Sequence, residues 1–528
     1  MYVQDVFDVL FGNWIAKAIW FILAFLLLVV ARGALFIFWM LPALVALVVG
    51  GFIVLVIATG FGNHRYEPFS KSGVAAALMA GVLFFAWVVA IDYSYKDGLV
   101  EKNVQPTLTT QLPELLPRAT AFEIAQKSLS GEVGNDSTTS TYDVDARFNA
   151  DTQTFDWLTP KIPSNLLNPY FGQVEEVISI DDFGNTSETQ VTYKYGEEMY
   201  FFDNVLWIAK WAKYTSFIMD GDVFYWLLPA DEGKDQEMVI VAPLYTYKMH
   251  MLSFVPVWDG ALIVYPSGET EYLNVQAAER DERFAGAQMV PPFLLEKQVE
   301  NTCYRFGGLS NCWFGNKNAF DVPQFDHSKN QQPYLSVRVL TAADGTETYK
   351  PVWVITADPD GERNQSIVRL FIQDADSRNW EIVDTTQKGT LRGPHQTIQV
   401  IRTDIGAYTW RTDDGDGTHI VLEPRPAIQD DEFFWVGSIT TLDYSKTAAL
   451  VVVNADTMEM FTFCSASRMY DWFEGVGGTD SLSCDNVTSA PQHGTVESGD
   501  YENMNDSQLL REFGRIIQEL ENRGYFDK

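Results

Sequence analysis

Residues 449–463 read ALVVVNADTMEMFTF, and this stretch shows a pattern that recurs weakly along the chain. An apolar run leads into Asn454-Ala455-Asp456-Thr457, and a second β-rich run follows. Because Asn, Asp and Thr side chains hydrogen-bond the backbone of tight turns, the pattern predicts two strands joined by an Asx-type turn. The turn recurs as Asn149-Ala150-Asp151-Thr152 and Asp374-Ala375-Asp376-Ser377. Turn chemistry alone can produce three such matches, and a repeated strand-turn-strand unit is the other interpretation.

The chain around these turns carries the same kind of signal. Gly-containing turns separate alternating runs such as 223–228 and 367–372, which is typical of β-hairpins. Helical signals are few: a capping-box spacing at Thr120–Glu123, and Trp207 and Trp211 one helical turn apart. We therefore predict a β-rich α+β region built of tandem units.

The beginning of this region resembles a PepSY-type module, a small helix-plus-sheet unit of extracytoplasmic proteins. The resemblance is carried by Thr120-Ala121-Phe122-Glu123-Ile124-Ala125-Gln126-Lys127, by the run 142–148 and by the turn at 149–152. The two later turns resemble the closing hairpins of further modules. Gln153 stands where a Gly would normally follow the turn Thr. The resemblance implies a role in interaction, inhibition or assembly, and it brings no catalytic residue.

The first ninety residues have a different character. Three largely apolar stretches, 14–31, 33–58 and 74–91, each approach the roughly 20 residues that a helix needs to cross a bilayer. A signal peptide is the competing interpretation of the first stretch, but no cleavage-site pattern follows it. The one charge within the stretches, Lys17, lies in a first turn. We therefore predict an α-helical transmembrane anchor of about three spans rather than a transport path.

The third predicted span carries a stripe of small residues. Gly73, Ala77 and Gly81 recur every four residues, a spacing that allows another helix backbone to approach closely. Packing within the same three-helix bundle is the simpler interpretation. Self-association, or docking on a partner's helix, is the alternative.

The cysteines decide the predicted side of the membrane. Cys303 and Cys312 form one local pair, and Cys464 and Cys484 form another. Zinc sites need tighter pairs, so two disulfides are the favoured interpretation, and disulfides imply an oxidising compartment. The basic residues flanking the spans do not decide the orientation. We therefore predict an integral membrane protein whose large C-terminal domain is extracytoplasmic.

Charge and motif searches limit the chemistry. The net charge is −33, which argues against a nucleic-acid partner. The six histidines form no His-x-x-x-His pair, and no nucleophile elbow or phosphate-binding Gly-rich loop is found. Asp326-His327-Ser328 is a triad only in composition, since triad members meet in space rather than in sequence.

The only cofactor that the sequence suggests is calcium. Asp414, Asp416 and Glu423 stand at the third, fifth and twelfth positions of an EF-hand-like loop. Thr412 replaces the first ligand, and the flanks alternate like strands instead of forming helices. A hairpin turn is therefore favoured over a calcium site, and we otherwise predict no cofactor.

The C-terminal segment has one apolar stripe. A helix is predicted there, and either its own domain or a partner's groove can cover the stripe. The stripe consists of Leu509, Leu510, Phe513, Ile516, Ile517 and Leu520. The predicted domains are a short N-terminal segment 1–13, transmembrane helices 14–92, a stalk 93–117, a first α+β unit 118–300, a second β-rich unit 301–474, an acidic linker 475–504 and an amphipathic helix 505–528.

The function that these features favour is binding or assembly without catalysis, by a membrane-anchored protein with a protein partner or with itself. An envelope or cell-wall hydrolase with a dispersed acidic active site is one alternative. A ligand sensor that acts through a membrane partner is the other. A hydrolase would require close carboxylates with shifted pKa values in a deep pocket.

Overall fold

The structure, a computed structural model, describes residues 89–99 and most of the chain between 111 and 473, with Ala86, residues 478–479 and Cys484. The gaps within it are short, the longest covering 307–319. Its helices are α1 (89–99), α2 (Arg118–Ser130), α3 (Val205–Ala212), α4 (Val275–Ala278), α5 (Pro292–Glu300), α6 (Pro394–Asp404) and α7 (Ala466–Phe473), with 3₁₀ turns at Glu282–Phe284 and Thr302–Phe306.

Most of the strands belong to four antiparallel meanders of four strands each. The first contains β3 (Asp145–Asn149), β4 (Thr154–Pro160), β6 (Val174–Asp181) and β7 (Thr186–Tyr193). The second contains β8 (Phe224–Leu227), β9 (Met238–His250), β10 (Ser253–Val264) and β11 (Thr270–Leu273). The third contains β13 (Tyr334–Thr341), β14 (Glu347–Pro359), β16 (Arg369–Asp374) and β17 (Trp380–Asp384). The fourth contains β19 (His419–Gln429), β20 (Glu432–Thr441), β21 (Thr447–Asn454) and β22 (Met460–Phe463).

Short strands complete the sheets. They are β1 (Gln111–Pro113), β2 (Thr139–Ser140), β5 (Ile162–Pro163), β12 (Phe320–Asp321), β15 (Ser366–Ile367) and β18 (Leu391–Arg392). Each meander has the strand order of a propeller blade, which gives a propeller-like arrangement of four blades. Strand β1 lies between β13 and β19 and joins the third and fourth meanders into one ten-stranded sheet.

The four meanders are copies of one unit that begins with a helix. Helices α2, α3, α5 and α6 precede the first, second, third and fourth meanders, respectively. In three copies a buried Trp of the second strand donates its indole N–H to the main-chain carbonyl two residues before the helix. These bonds join Trp157 to Leu116 (3.0 Å), Trp353 to Val290 (3.2 Å) and Trp435 to Arg392 (2.8 Å). We call this contact the Trp pin.

The turn between the third and fourth strands closes the third and fourth units in a matching way. In the third unit, Ala375 donates its N–H to the carbonyl of Pro351 and accepts from the N–H of Val290, both at 3.0 Å. In the fourth, Ala455 does the same with Phe433 (2.9 Å) and Arg392 (2.8 Å). Because these bonds join strand, turn and helix entry, the third and fourth units each fix where their own helix begins.

The first unit uses a side chain for the same purpose. Asp182 lies at the position of Ala375 and Ala455, and its carboxylate accepts the main-chain N–H groups of Leu116 (3.3 Å) and Phe155 (3.0 Å). It also accepts the hydroxyl of Tyr470 on α7, at 2.9 Å. Asp182 therefore connects the first unit to the helix that follows the fourth.

Three of the hydrophobic cores lie between units, whereas two others lie largely within the second and the fourth unit. One core combines residues of the first and second units, such as Val177 and Ile240, and another combines the third and fourth, such as Val354 and Trp435. A third joins the first and third units, for example through Trp157. Since a four-stranded meander with one helix buries little apolar surface alone, neighbouring copies supply the rest.

The predicted transmembrane anchor is corrected by the structure. Within the described residues, no helix is long and apolar enough to cross a membrane, which contradicts the predicted fold class and the predicted integral-membrane, extracytoplasmic localisation. The predicted spans 14–31 and 33–58 lie outside the described residues, as does 74–91 apart from Ala86 and 89–91. Where the third span meets the structure, α1 continues with Asp92 and Lys96, whose side chains form an ion pair at 3.0 Å. The helix therefore has a polar face there instead of an apolar circumference.

Several predicted boundaries fall differently in the structure. The predicted units 118–300 and 301–474 each contain two meanders, and α5, at the end of the first range, leads into the third meander. Residues 93–117, predicted as a stalk, include part of α1 and strand β1. The capping box predicted at Thr120 is wrong, because α2 begins at Arg118 and Thr120 is buried within it. The main-chain bond from Ala121 to Pro117 closes the first helical turn instead.

Candidate functional site

Of the predicted disulfides, one is fully described. Cys464 and Cys484 are bonded, with Cα atoms 5.4 Å apart, and the buried Cys484 lies in the core shared by the third and fourth units. Cys303 is also disulfide-bonded, while its predicted partner Cys312 lies outside the described residues. Both observations place the cysteines in structural roles.

Of the predicted calcium ligands, only Glu423 is described. It is buried in β19 with a φ of 49°, and its carboxylate pairs with the fully buried Arg425 and accepts the N–H of Arg118 at 3.4 Å. Asp414 and Asp416 lie outside the described residues. Among the residues that the structure describes, no group of acids, histidines and cysteines is arranged to hold a metal ion. Glu423 therefore serves a buried ion pair beside the start of α2.

The remaining predicted site residues cannot be placed. The small-residue stripe Gly73, Ala77 and Gly81 lies outside the described residues, as does Asp326-His327-Ser328. The same holds for the C-terminal stripe of Leu509, Leu510, Phe513, Ile516, Ile517 and Leu520. Their predicted roles stay predictions.

The structure does assemble one serine, histidine and aspartate cluster, beneath α1. Asp97 Oδ2 lies 3.1 Å from His250 Nε2, and Ser253 donates its hydroxyl to Ser94 Oγ at 3.0 Å. Ser94 in turn donates its hydroxyl to the main-chain carbonyl of His250. Because both hydroxyl protons are committed to these acceptors and both serines are buried, the cluster has the geometry of a packing contact rather than of an activated nucleophile.

The second unit departs from the other three. Ile240 takes the strand position of the Trp pin, since it pairs with Val264 two residues before the turn residue Pro266. Strands β9 and β10 have 13 and 12 residues, but β8 and β11 pair only with their inner ends. The outer half of this hairpin therefore projects beyond the four-stranded sheet.

Partly exposed aromatic rings cover this projection. We define the β9 aromatic site as Phe217, Tyr245, Tyr247 and Phe293 together with Asp222. The ring centroids of Tyr245 and Tyr247 are 5.9 Å apart with planes at 67°, and Phe217 lies 5.6 Å from Tyr245 and 5.7 Å from Tyr247. Phe293 of α5 lies 4.9 Å from Tyr245 with planes at 70°. Three of these four ring pairs thus meet at steep angles, whereas the planes of Phe217 and Tyr245 are inclined by 36°.

Main-chain pairing with β9 on either side of Asp222 positions this residue, which carries the carboxyl group of the site. Phe217 exchanges both main-chain hydrogen bonds with Tyr245, at 2.7 and 2.9 Å, and Phe224 pairs with Val241. Asp222 therefore lies alongside β9 between these two contacts. Phe224 and Val241 belong to the core on one face of the sheet, and by strand alternation Tyr245 continues that face outward.

The Asp222 carboxyl group is the unusual member of the site. Its Oδ2 atom is buried and has no hydrogen-bond partner within the described residues, although the residue as a whole is only half-buried. Burial raises the pKa of Asp222 to about 7. The Asp222 charge also contributes to the raised pKa of Tyr245, after the larger effect of burial. The site thus combines a carboxyl group whose pKa is near 7 with partly exposed aromatic rings.

Titratable groups of α1 and α5 lie near the site. Burial raises the pKa of Tyr95, which lies close enough to Tyr245 and Tyr247 to raise their pKa values, and burial raises the pKa of Tyr247 to about 12. The ammonium group of Lys297 is bound to Glu300 at 2.8 Å. The tyrosine hydroxyls therefore stay protonated at neutral pH.

A second aromatic row lies on α3. The centroids of Trp207 and Trp211, predicted to be one turn apart, are separated by 5.8 Å, and Tyr214 follows at 6.0 Å. Asn204 starts this helix by accepting the N–H of Trp207 at 3.1 Å. All three rings are partly exposed, so aromatic surface on the second unit extends beyond the β9 aromatic site.

Sequence reasoning found the α3 tryptophans but missed the β9 aromatic site. The available signal was the run Tyr245-Thr246-Tyr247, which places two rings on one face of a strand. No local sequence feature distinguished Asp222, because it lies in a predicted turn and acidic residues are common in turns.

No family model matches the chain, and no curated protein matches its sequence. The class of protein is therefore defined by the fold and the site alone: a tandem-repeat β protein with one elaborated unit. The resemblance to PepSY-type modules stays a prediction.

Proposed function

We propose that this protein is a non-catalytic binding protein that contacts a protein partner through the β9 aromatic site. The observation that carries the proposal is the departure of the second unit from the repeat. Three units retain the Trp pin, whereas the second has Ile240 in its place and extends a hairpin covered with partly exposed aromatic rings. Functional sites are commonly elaborations grafted on a repeated scaffold.

The composition of the surface supports a protein partner. Tyr, Trp and Phe are enriched where proteins bind one another, because large rigid rings bury much area at little entropic cost. The exposed Met249 and Met251 at the tip of the same hairpin add flexible apolar surface. The tip of the hairpin also contacts α1, since His250 Nε2 lies 3.1 Å from Asp97 Oδ2, and this contact holds the hairpin in place.

Site-directed photo-crosslinking tests the proposal. A photoreactive phenylalanine analogue is placed at Tyr247 in the full chain, and a matched control carries it at Thr189 on the exposed strand β7. We expect a discrete crosslinked partner at position 247 that is missing at position 189, and we expect Tyr245→Ala to weaken binding of that partner while the chain stays folded. Equal crosslinking at both positions, or none at 247, would contradict the proposal.

A further inference from the structure

We infer that the β9 aromatic site, if it serves the binding function proposed above, receives a positively charged Lys or Arg side chain from a basic segment of the partner. The cation would lie over the faces of Tyr245 and Tyr247 and beside the Asp222 carboxylate. The inference rests on the proposed function and adds to it the chemistry of the occupant.

Ring geometry is the first argument. A cation is attracted to an aromatic face within about 6 Å of the ring centroid, and the attraction increases when several faces converge. Tyr247 meets Phe217 at 80° and Tyr245 at 67°, while Phe217 and Tyr245 are inclined by 36°, so the faces of the three rings point in different directions. Parallel stacking would have left a single exposed face.

The unpaired carboxyl oxygen is the second, independent argument. A buried oxygen without a hydrogen-bond partner is costly, and an ionised one is more so. Asp222 Oδ2 is such an atom within the described residues, and the Asp222 carboxyl group is close enough to Tyr245 for its charge to contribute to the raised pKa of that hydroxyl. A bound ammonium or guanidinium group would supply both the missing hydrogen-bond donor and the opposite charge.

Surrounding charge is the third argument. The nearby cation Lys297 is already bound to Glu300, and Lys248 points to the opposite face of β9 from Tyr247 by strand alternation. Glu296, whose pKa is raised by burial and by Glu300, adds negative charge on the same helix. With a net charge of −33, the chain as a whole attracts basic partners and repels acidic ones.

Calorimetric titration of the full chain tests the inference. The probes are a tetralysine peptide, the same peptide with all four side chains acetylated, and tetramethylammonium chloride. We expect the tetralysine peptide to bind at least about tenfold more tightly than its acetylated form, a difference within reach of a desolvated cation–π contact plus one ion pair. Tetramethylammonium should compete weakly, and competition equal to that of the peptide would assign the site to small quaternary ammonium ligands and overturn the inference.

Variants separate the site from general acidity. Asp222→Asn and Tyr245→Leu should each weaken tetralysine binding about tenfold, whereas Tyr245→Phe, which keeps the ring, should bind like the parent. Glu269→Gln is the matched control, since it removes one exposed negative charge from the opposite end of the same unit. An equal loss from Glu269→Gln would show nonspecific attraction and refute the inference. Peptides that fail to bind while crosslinking at Tyr247 succeeds would refute the cationic occupant and leave the proposed function standing.

Discussion

Replacing Trp435 by Phe tests whether the Trp pin stabilises the repeated unit. Trp435 is fully buried, and its indole N–H reaches the Arg392 carbonyl at 2.8 Å. Losing this hydrogen bond should cost about 1 kcal/mol, and the smaller ring should cost about 2 kcal/mol more through lost apolar burial and the cavity it leaves. We therefore expect the free energy of unfolding to fall by about 3 kcal/mol.

Urea unfolding measures this loss, followed by circular dichroism rather than by tryptophan fluorescence because the variant lacks one Trp. Hydrogen exchange adds a local measurement, because the amides of Arg392 and Ala455 depend on the same pin and should lose protection first. The control is Trp472→Phe, which changes a half-buried ring of α7. A loss below about 1 kcal/mol, or a loss no larger than that of the control, would refute the reasoning that the pin holds strand and helix entry together.

Three further predictions follow from buried polar groups and the disulfide. Because the pKa of Asp222 is about 7 in the folded protein and its ordinary value is 3.8, ionising this carboxyl group opposes folding. The stability of Asp222→Asn relative to the parent should therefore increase as pH rises from 4 to 7, by about 4 kcal/mol at most, and stay constant above that range. Thermal melts at several pH values measure this difference, and a difference that does not change with pH would contradict the prediction. Asp182→Ala should lower the free energy of unfolding by about 3 kcal/mol because it leaves buried main-chain donors unpaired, whereas Tyr470→Phe should lower it by only about 1 kcal/mol. Equal losses for the two variants in urea unfolding would contradict this prediction. Replacing Cys464 and Cys484 by Ser should cost about 3 kcal/mol, measured against the parent without reductant, and an unchanged midpoint would show that the bond does not stabilise this part of the fold.

Local chemistry explains the parts of the fold that the sequence predicted. The run 449–463 forms the β21–β22 hairpin, and Asn454 Oδ1 accepts the N–H groups of Asp456 and Thr457, both at 3.0 Å, as an Asx turn requires. Helix α3 likewise begins at its Asn204 cap. In the turn 374–377, by contrast, Asp374 accepts from the side chains of Lys350 and Ser377. Similar sequence thus produced different side-chain bonding in the two turns.

The membrane anchor predicted from hydropathy is contradicted by the structure. The apolar stretches of the first ninety residues predicted a membrane anchor, and the described part of the chain contains no helix that could cross a bilayer. In α1 the side chains of Ser94 and Asp97 instead contact the β9–β10 hairpin through His250, 153 to 156 positions away. Hydropathy averages over a window of sequence, so it cannot register a partner so distant along the chain.

Interactions between neighbouring residues account for the features that could be predicted from the sequence, namely the alternation of strands, the Asx turn at Asn454 and the spacing of the tryptophans on α3. The fourfold repeat, the insertion of β1 between β13 and β19, and the proximity of Asp222 to Tyr245 depend instead on contacts between distant parts of the chain. A turn or cap is stabilised by bonds within a few residues, whereas the Trp pin and the β9 aromatic site depend on groups that are brought together only when strands pair and cores between units close.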